Sequence, residues 1–218
     1  MRRLWPSFIA FGLAVALSIW AYPRLPPQVA THWGIEGQAD GWSTPLVAVL
    51  IVPVATIVLA GVMLAAPLID PRRESWQLHG RTYWRVINLV LCFFLVIHLL
   101  VIGEGLGWGL PVARVIPMVV GGLLVLIGNL LPRLQPNWFM GIRTPWTLSS
   151  DEVWRRTHRL GGGMMVLAGL LLVAGGFVAR GIGFVLIVAL VGCCVLVPVV
   201  YSWLLWRRSV VQEPGSAK

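Results

Sequence analysis

Residues 129–163 read NLLPRLQPNWFMGIRTPWTLSSDEVWRRTHRLGGG, a long polar stretch between runs that lipid would accept. It gathers five arginines (Arg133, Arg143, Arg155, Arg156, Arg159), three tryptophans (Trp138, Trp146, Trp154), three prolines and His158, a density that a passive linker does not need. Ser149 followed three positions later by Glu152 is a capping box, in which hydroxyl and carboxylate take up orphaned N–H groups at a helix start. A short helix over about 150–160 is therefore predicted. On it Val153, Thr157 and Leu160 share a face with Trp154 and His158 beside them, while Asp151 with Arg155 and Glu152 with Arg156 stand at ion-pair spacing. Such a basic amphipathic helix lies in the headgroup layer, Trp154 dipping toward the acyl chains and the arginines facing lipid phosphate or another polypeptide. Gly161, Gly162 and Gly163 would end it in a sharp turn and supply a hinge.

Outward from this stretch the chain is greasy. Of 218 residues 58% are hydrophobic and 11% charged, with a mean hydropathy of +0.84, where a soluble domain carries about a quarter charged residues. Six runs, about 4–22, 45–66, 85–103, 112–131, 163–179 and 183–206, can cross a hydrocarbon core of about 30 Å at about 1.5 Å per residue. The fold class is all-α: a polytopic membrane protein of about six transmembrane helices, with the interfacial amphipathic helix between spans four and five. Two regions follow: a two-span region over 1–66 with an external His/Asp/Gly loop, and a four-span region over 67–218 whose signature loop occupies 132–162.

Orientation comes from the basic residues, which accumulate on the cytoplasmic side. One set of loops and ends holds Arg2, Arg3, Arg72, Arg73, Arg81, Arg85, the five arginines of the signature stretch, Arg207, Arg208 and Lys218. The other side holds only Arg24, Arg114 and Arg180. Both termini and the signature loop are thus expected in the cytoplasm. The formal charge of +9 is a topology signal that needs no nucleic acid, and its partners are anionic lipid or an acidic protein patch. Met1-Arg2-Arg3 before an apolar run resembles a signal peptide, but the small-x-small pattern Ala14-Val15-Ala16 lies mid-run, so an uncleaved first span is expected. Trp5, Trp20, Trp203 and Trp206 stand where interfacial anchors belong.

The first external loop, PRLPPQVATHWGIEGQADGWSTP over 23–45, carries His32, Glu36 and Asp40 at intervals of four. On one helical face they could hold a divalent metal, yet three glycines and the lack of an apolar face argue for a structured polar loop instead, with His32 and Asp40 bonded to nearby backbone. External ligand recognition is its functional version. Asp70, Glu74 and His79, between spans two and three, read as solvated. Within the bilayer, His98 is either a neutral histidine bonded to a neighbouring helix or a ligand or proton site. Asn88 and Asn129 fall at similar depth and could bond across antiparallel neighbours. Cys92, Cys193 and Cys194 lie inside spans, where packing is the expected role, and neither a disulfide nor a metal spacing emerges.

The signature stretch resembles that of the SdpI family of bacterial inner-membrane proteins through Asn129, Pro132, Pro136, Asn137, Gly141, Arg143, Thr144, Pro145, Trp146, Ser149, Trp154, Thr157, His158 and Gly161. The first loop, through His32, Gly37, Asp40 and Gly41, is similar to the small membrane domain of unknown function that often precedes that signature. The resemblance implies protection against a secreted antimicrobial peptide toxin, with a cytoplasmic winged-helix repressor as a further partner. It implies no catalytic residue and no cofactor. The binding or signalling candidates are Asn129, Asn137, Arg143, Thr144, Pro145, Trp146, Trp154, Thr157, His158, His32 and Asp40. Rival readings are a small-solute transporter using His98, Asn88 and the proline kinks, though no inverted repeat is detectable, and a membrane enzyme using His158, Asp151 and Glu152, whose carboxylates already serve capping and ion pairing.

Overall fold

A computed structural model describes residues 4–34, 38–72, 75–178 and 183–212. Six helices are long and apolar enough to cross a membrane: α1 (Trp5–Ala21), α2 (Pro45–Ile69), α3 (Ser75–Gly105), α4 (Val112–Leu130), α6 (Asp151–Val178) and α7 (Gly183–Gln212). A short helix, α5 (Pro145–Ser149), a two-stranded hairpin, β1 (Val29–Trp33) with β2 (Ala39–Ser43), and 3-10 turns over Tyr22–Arg24 and Leu131–Arg133 lie between them. The all-α polytopic architecture is as the hydropathy predicts. Helices α1, α2 and α3 pack as one trio and α4, α6 and α7 as another, joined where α3 meets α4.

In the first trio the inward face of α1 is made of small residues, Ser7, Ala10, Ala14, Ser18 and Ala21, while Trp5, Phe8, Ile9, Leu13 and Ile19 face outward. Small residues let backbones approach closely, which is what holds helices together where the surroundings are as apolar as the interface. Polar links from α1 help tie the trio. Ser7 Oγ donates to Asn88 Oδ1 at 2.6 Å. Farther along α1, Ser18 Oγ lies 2.8 Å from the Val49 carbonyl and 2.9 Å from His98 Nε2. A hydroxyl proton given to the carbonyl leaves the histidine N–H as the other donor, so His98 is bonded to a neighbouring helix. Asn88 bonds α1 and not Asn129, which is exposed at the end of α4.

The second trio corrects the expected hinge. Gly161, Gly162 and Gly163 lie inside one unbroken helix, α6, with no positive φ among them. Their role is close approach. A Cβ on Gly162 would stand 2.6 Å from the Gly128 carbonyl oxygen, and one on Gly128 would stand 2.7 Å from that of Gly162. One heptad away on both helices the contact repeats, with Gly121 and Gly169 at 2.6 and 2.4 Å from each other's carbonyl oxygens. Two glycine pairs therefore press α4 and α6 together antiparallel, and packing keeps helical a run whose intrinsic propensity is poor. The separate interfacial helix does not exist; residues 151–160 are the first turns of α6.

The hairpin corrects the first loop. His32 and Asp40 bond each other, Nδ1 to Oδ1 at 2.5 Å, and not the backbone. Glu36 and Gly37 lie outside the described residues. Val29 is buried against Ala48 and Val101, and a Cβ on Gly105 would meet Val29 and Leu25 at 2.8 Å, so the hairpin sits on the far end of α3. Gly41 pairs with His32 across the strands, where a Cβ would lie 2.9 Å from that of His32.

Candidate functional site

The signature stretch folds back as a plug over one end of the second trio. Its organiser is Asn137, fully buried. Its Oδ1 accepts from the Phe139 and Met140 N–H groups at 2.9 and 2.7 Å, and its Nδ2 donates to the Gln135 and Met140 carbonyls at 2.9 and 3.0 Å. One amide thus uses both its oxygen and its nitrogen to hold a loop that no regular element could satisfy. The chain then turns at Gly141, φ +111°, and delivers the Ile142 N–H to His158 Nε2 at 3.0 Å. Because a backbone N–H can only donate, Nε2 must be the acceptor. Nδ1 then carries the proton and gives it to the Trp154 carbonyl at 2.8 Å. The geometry selects the neutral Nδ1–H tautomer.

Trp154 is not in the headgroup layer. It is fully buried, stacked on His158 with centroids 3.9 Å apart, and its Nε1–H donates to the Leu134 carbonyl at 2.8 Å. The amphipathic pattern misplaced it because the plug covers a face that an isolated helix would expose. Leu131, Leu134 and Trp154 form the apolar heart of the plug, with Met140, Ile142 and Met165 against them.

The helix-start signals also resolve differently. The reciprocal cap belongs to α5, where the Thr147 N–H donates to Thr144 Oγ1 at 3.2 Å and the Thr144 N–H to Thr147 Oγ1 at 2.8 Å, with Pro145 at the first helical position. Ser150, and not Ser149, caps α6 by accepting from the Val153 N–H at 3.3 Å. Glu152 pairs with both Arg155 (2.5 Å) and Arg156 (2.6 Å), and Asp151 pairs with Arg72 at 3.1 Å instead of Arg155. Trp146 reaches across to α7, its Nε1–H donating to the buried Ser202 hydroxyl. Thr157 is fully buried and its hydroxyl has no partner among the described residues.

Sequence reasoning missed Asp70. Read as solvated, it is 1% exposed, and its carboxylate accepts from the Arg72 N–H at 2.8 Å and the Trp138 N–H at 3.1 Å. Arg72 also donates to the Leu148 carbonyl at 2.7 Å. The loop after α2 therefore clamps the plug from the other trio. A lone carboxylate at the end of span two, beside two arginines, was the available signal. The side chains of Glu74 and His79 lie outside the described residues. Ser202 had a fainter signal, a hydroxyl in an otherwise apolar run.

Arg143 is exposed, and its guanidinium donates to the Trp138 carbonyl at 2.6 Å. It is also the charged residue lining a cavity of about 440 Å³. The walls are Leu124 and Ile127 of α4, Val191, Val195 and Val199 of α7, and Val86 of α3, with plug residues 140–143 at one end. Plug and hairpin lie at opposite ends of α3: Met140 packs beside Ile87, and Val29 touches Gly105. Eighteen residues of helix separate these contacts, about 27 Å, close to the thickness of a hydrocarbon core. His32 and Asp40 are therefore at the opposite end of α3 from the plug.

Comparison with known proteins finds two family matches along the chain. Residues 133–202 match the SdpI/YfhL protein family, and residues 9–57 match a domain of unknown function, DUF1648. The chain is similar to "Immunity protein SdpI" of Bacillus subtilis (strain 168), 26% identical over 174 residues, which is 79% of this chain and 80% of that protein. It is also similar to "Uncharacterized protein YfhL" of the same organism, 29% identical over 83 residues, covering 36% of this chain and 76% of that one. No solved structure matches. The apolar helices and this kinship make the chain a multi-pass protein of the bacterial inner membrane. The part of the chain that is similar to the SdpI/YfhL family, residues 133–202, supplies the plug together with α6 and most of α7 beneath it.

Proposed function

We propose that the chain is a membrane immunity protein that protects its cell against an antimicrobial peptide toxin. The observation that carries this reading is the similarity to an immunity protein over 79% of the chain, a span long enough to include both hairpin and plug. The excess of arginine on one set of loops supports placing both termini and the plug in the cytoplasm and the hairpin outside. Toxin inserting in the bilayer engages the helices or the hairpin, and the shift alters the exposed surface of the plug that a cytoplasmic winged-helix repressor reads. The chain binds and relays; no bond is made or broken in this scheme.

The test is survival. Expressed in a sensitive bacterium, the wild-type chain raises the toxin concentration tolerated. Arg143→Ala and His158→Ala lose that protection, or any recruitment of the repressor, while reaching the membrane at normal levels. Unchanged protection by both variants would remove the proposal.

A further inference from the structure

The cavity beside the plug has the form of a site for a chain with a charged end. On α7 its lining residues Val191, Val195 and Val199 follow one another at intervals of four, and Leu124 and Ile127 of α4 lead at spacings of three and four to Leu131 in the turn just after it. Each row runs along its helix for about 10–12 Å. The cavity is therefore elongated parallel to the spans. Its volume, about 440 Å³, falls in the range of roughly 300–1,000 Å³ usual for small-ligand sites. Apart from Arg143 its lining is apolar side chains and the single glycine Gly141, so a polar occupant would find nothing along most of its length.

At the plug end the chemistry changes. Arg72 faces Asp151, and Arg155 and Arg156 share Glu152. Arg143 has no carboxylate within reach among the described residues; its guanidinium meets only the Trp138 carbonyl. A planar guanidinium offers several further N–H donors suited to a phosphate. It stands where α4 and α6 end and the plug begins, the level at which phosphates lie in a bilayer.

We infer that this cavity holds one acyl chain of an anionic phospholipid, with the lipid phosphate on Arg143. The walls come from four membrane-crossing helices, so the occupant enters from the bilayer. The chain lies against α4 and α7, and the headgroup rests on the plug. An empty cleft of this size would forfeit the contacts of its lining, and an acyl chain restores them. Charge selects the lipid: a net-neutral headgroup carries its own cation and competes poorly for the guanidinium. The inference does not rest on the immunity reading, because lipid retention is measured on purified protein without toxin.

Native mass spectrometry of the full chain, released from detergent with phosphatidylglycerol or phosphatidylcholine of identical acyl chains, tests it. Wild type is expected to keep one phosphatidylglycerol under activation that strips phosphatidylcholine. Arg143→Gln should lower phosphatidylglycerol retention about tenfold or more, the size expected for a charge-assisted bond, to the level of the neutral lipid. Arg133→Gln, an exposed arginine outside the cavity lining, should leave retention unchanged. Val195→Phe, which fills the cavity, should abolish retention of both lipids. Equal retention of the two lipids by wild type would overturn the proposal, as would equal losses in the two arginine variants or a bound peptide mass in place of a lipid mass. Arg143 is exposed and its bond to the Trp138 carbonyl is one that Gln can also donate, so the test remains decisive if the Val195 variant fails to fold.

Discussion

At Gly141 two constraints coincide. Its φ of +111° is closed to most side chains, and a Cβ there would sit 2.3 Å from His158 Nε2. Gly141→Ala is expected to destabilise the plug by on the order of 1–3 kcal/mol, read as an earlier thermal transition of the purified protein in detergent. Asn137→Ala should cost a similar amount, since it strands the buried N–H groups of Phe139 and Met140. His158→Phe retains the stack on Trp154 but removes the acceptor for the Ile142 N–H. Faster amide exchange at Ile142 is its expected signature, with membrane insertion unchanged. The exposed His32–Asp40 pair, at 74% and 52% side-chain exposure, contributes little.

Among the elements, α6 separates the three glycines of its 161–163 run by what each one faces. Gly161 abuts Ile142 of the plug, Gly162 abuts α4, and around Gly163 nothing lies within 4 Å. Gly163→Ala should therefore be tolerated or mildly stabilising, since alanine favours a helix by about 1 kcal/mol over glycine. Gly162→Ala must push α4 away and should lower the thermal transition by several degrees. The same contrast shows what was legible beforehand. Hydropathy located every span, because lipid imposes one local requirement on each run. The signature stretch announced itself by composition. Its interior did not: Trp154, Thr157 and His158 are buried by the loop over 131–143, and Asp70 by a contact 68 residues away in sequence. Periodicity registers one helix face against an average environment and cannot see a loop folded onto the other face. The hairpin escaped for a different reason, since its strands are only five residues each and mix polar with apolar residues.

For the molecule as a whole, the arginine distribution predicts an orientation that the fold makes easy to test. Reporter fusions within residues 133–160 should be active as cytoplasmic reporters, and fusions at the turn of the hairpin as periplasmic ones. The reverse result would place the plug outside and end the proposed contact with a repressor. Asp70→Ala bears on the same scale, because Asp70 joins the loop after α2 to the plug. It should loosen the plug while each trio keeps its own packing, visible as protease cleavage between residues 133 and 150. The glycine pairs of α4 and α6 limit how any stimulus can travel. A piston stroke of one helical turn along that seam would drive Leu172 or Met165 into a neighbouring backbone that now admits only hydrogen. These two rods are geared together, so what crosses the bilayer through them must be a tilt or swivel of the coupled pair.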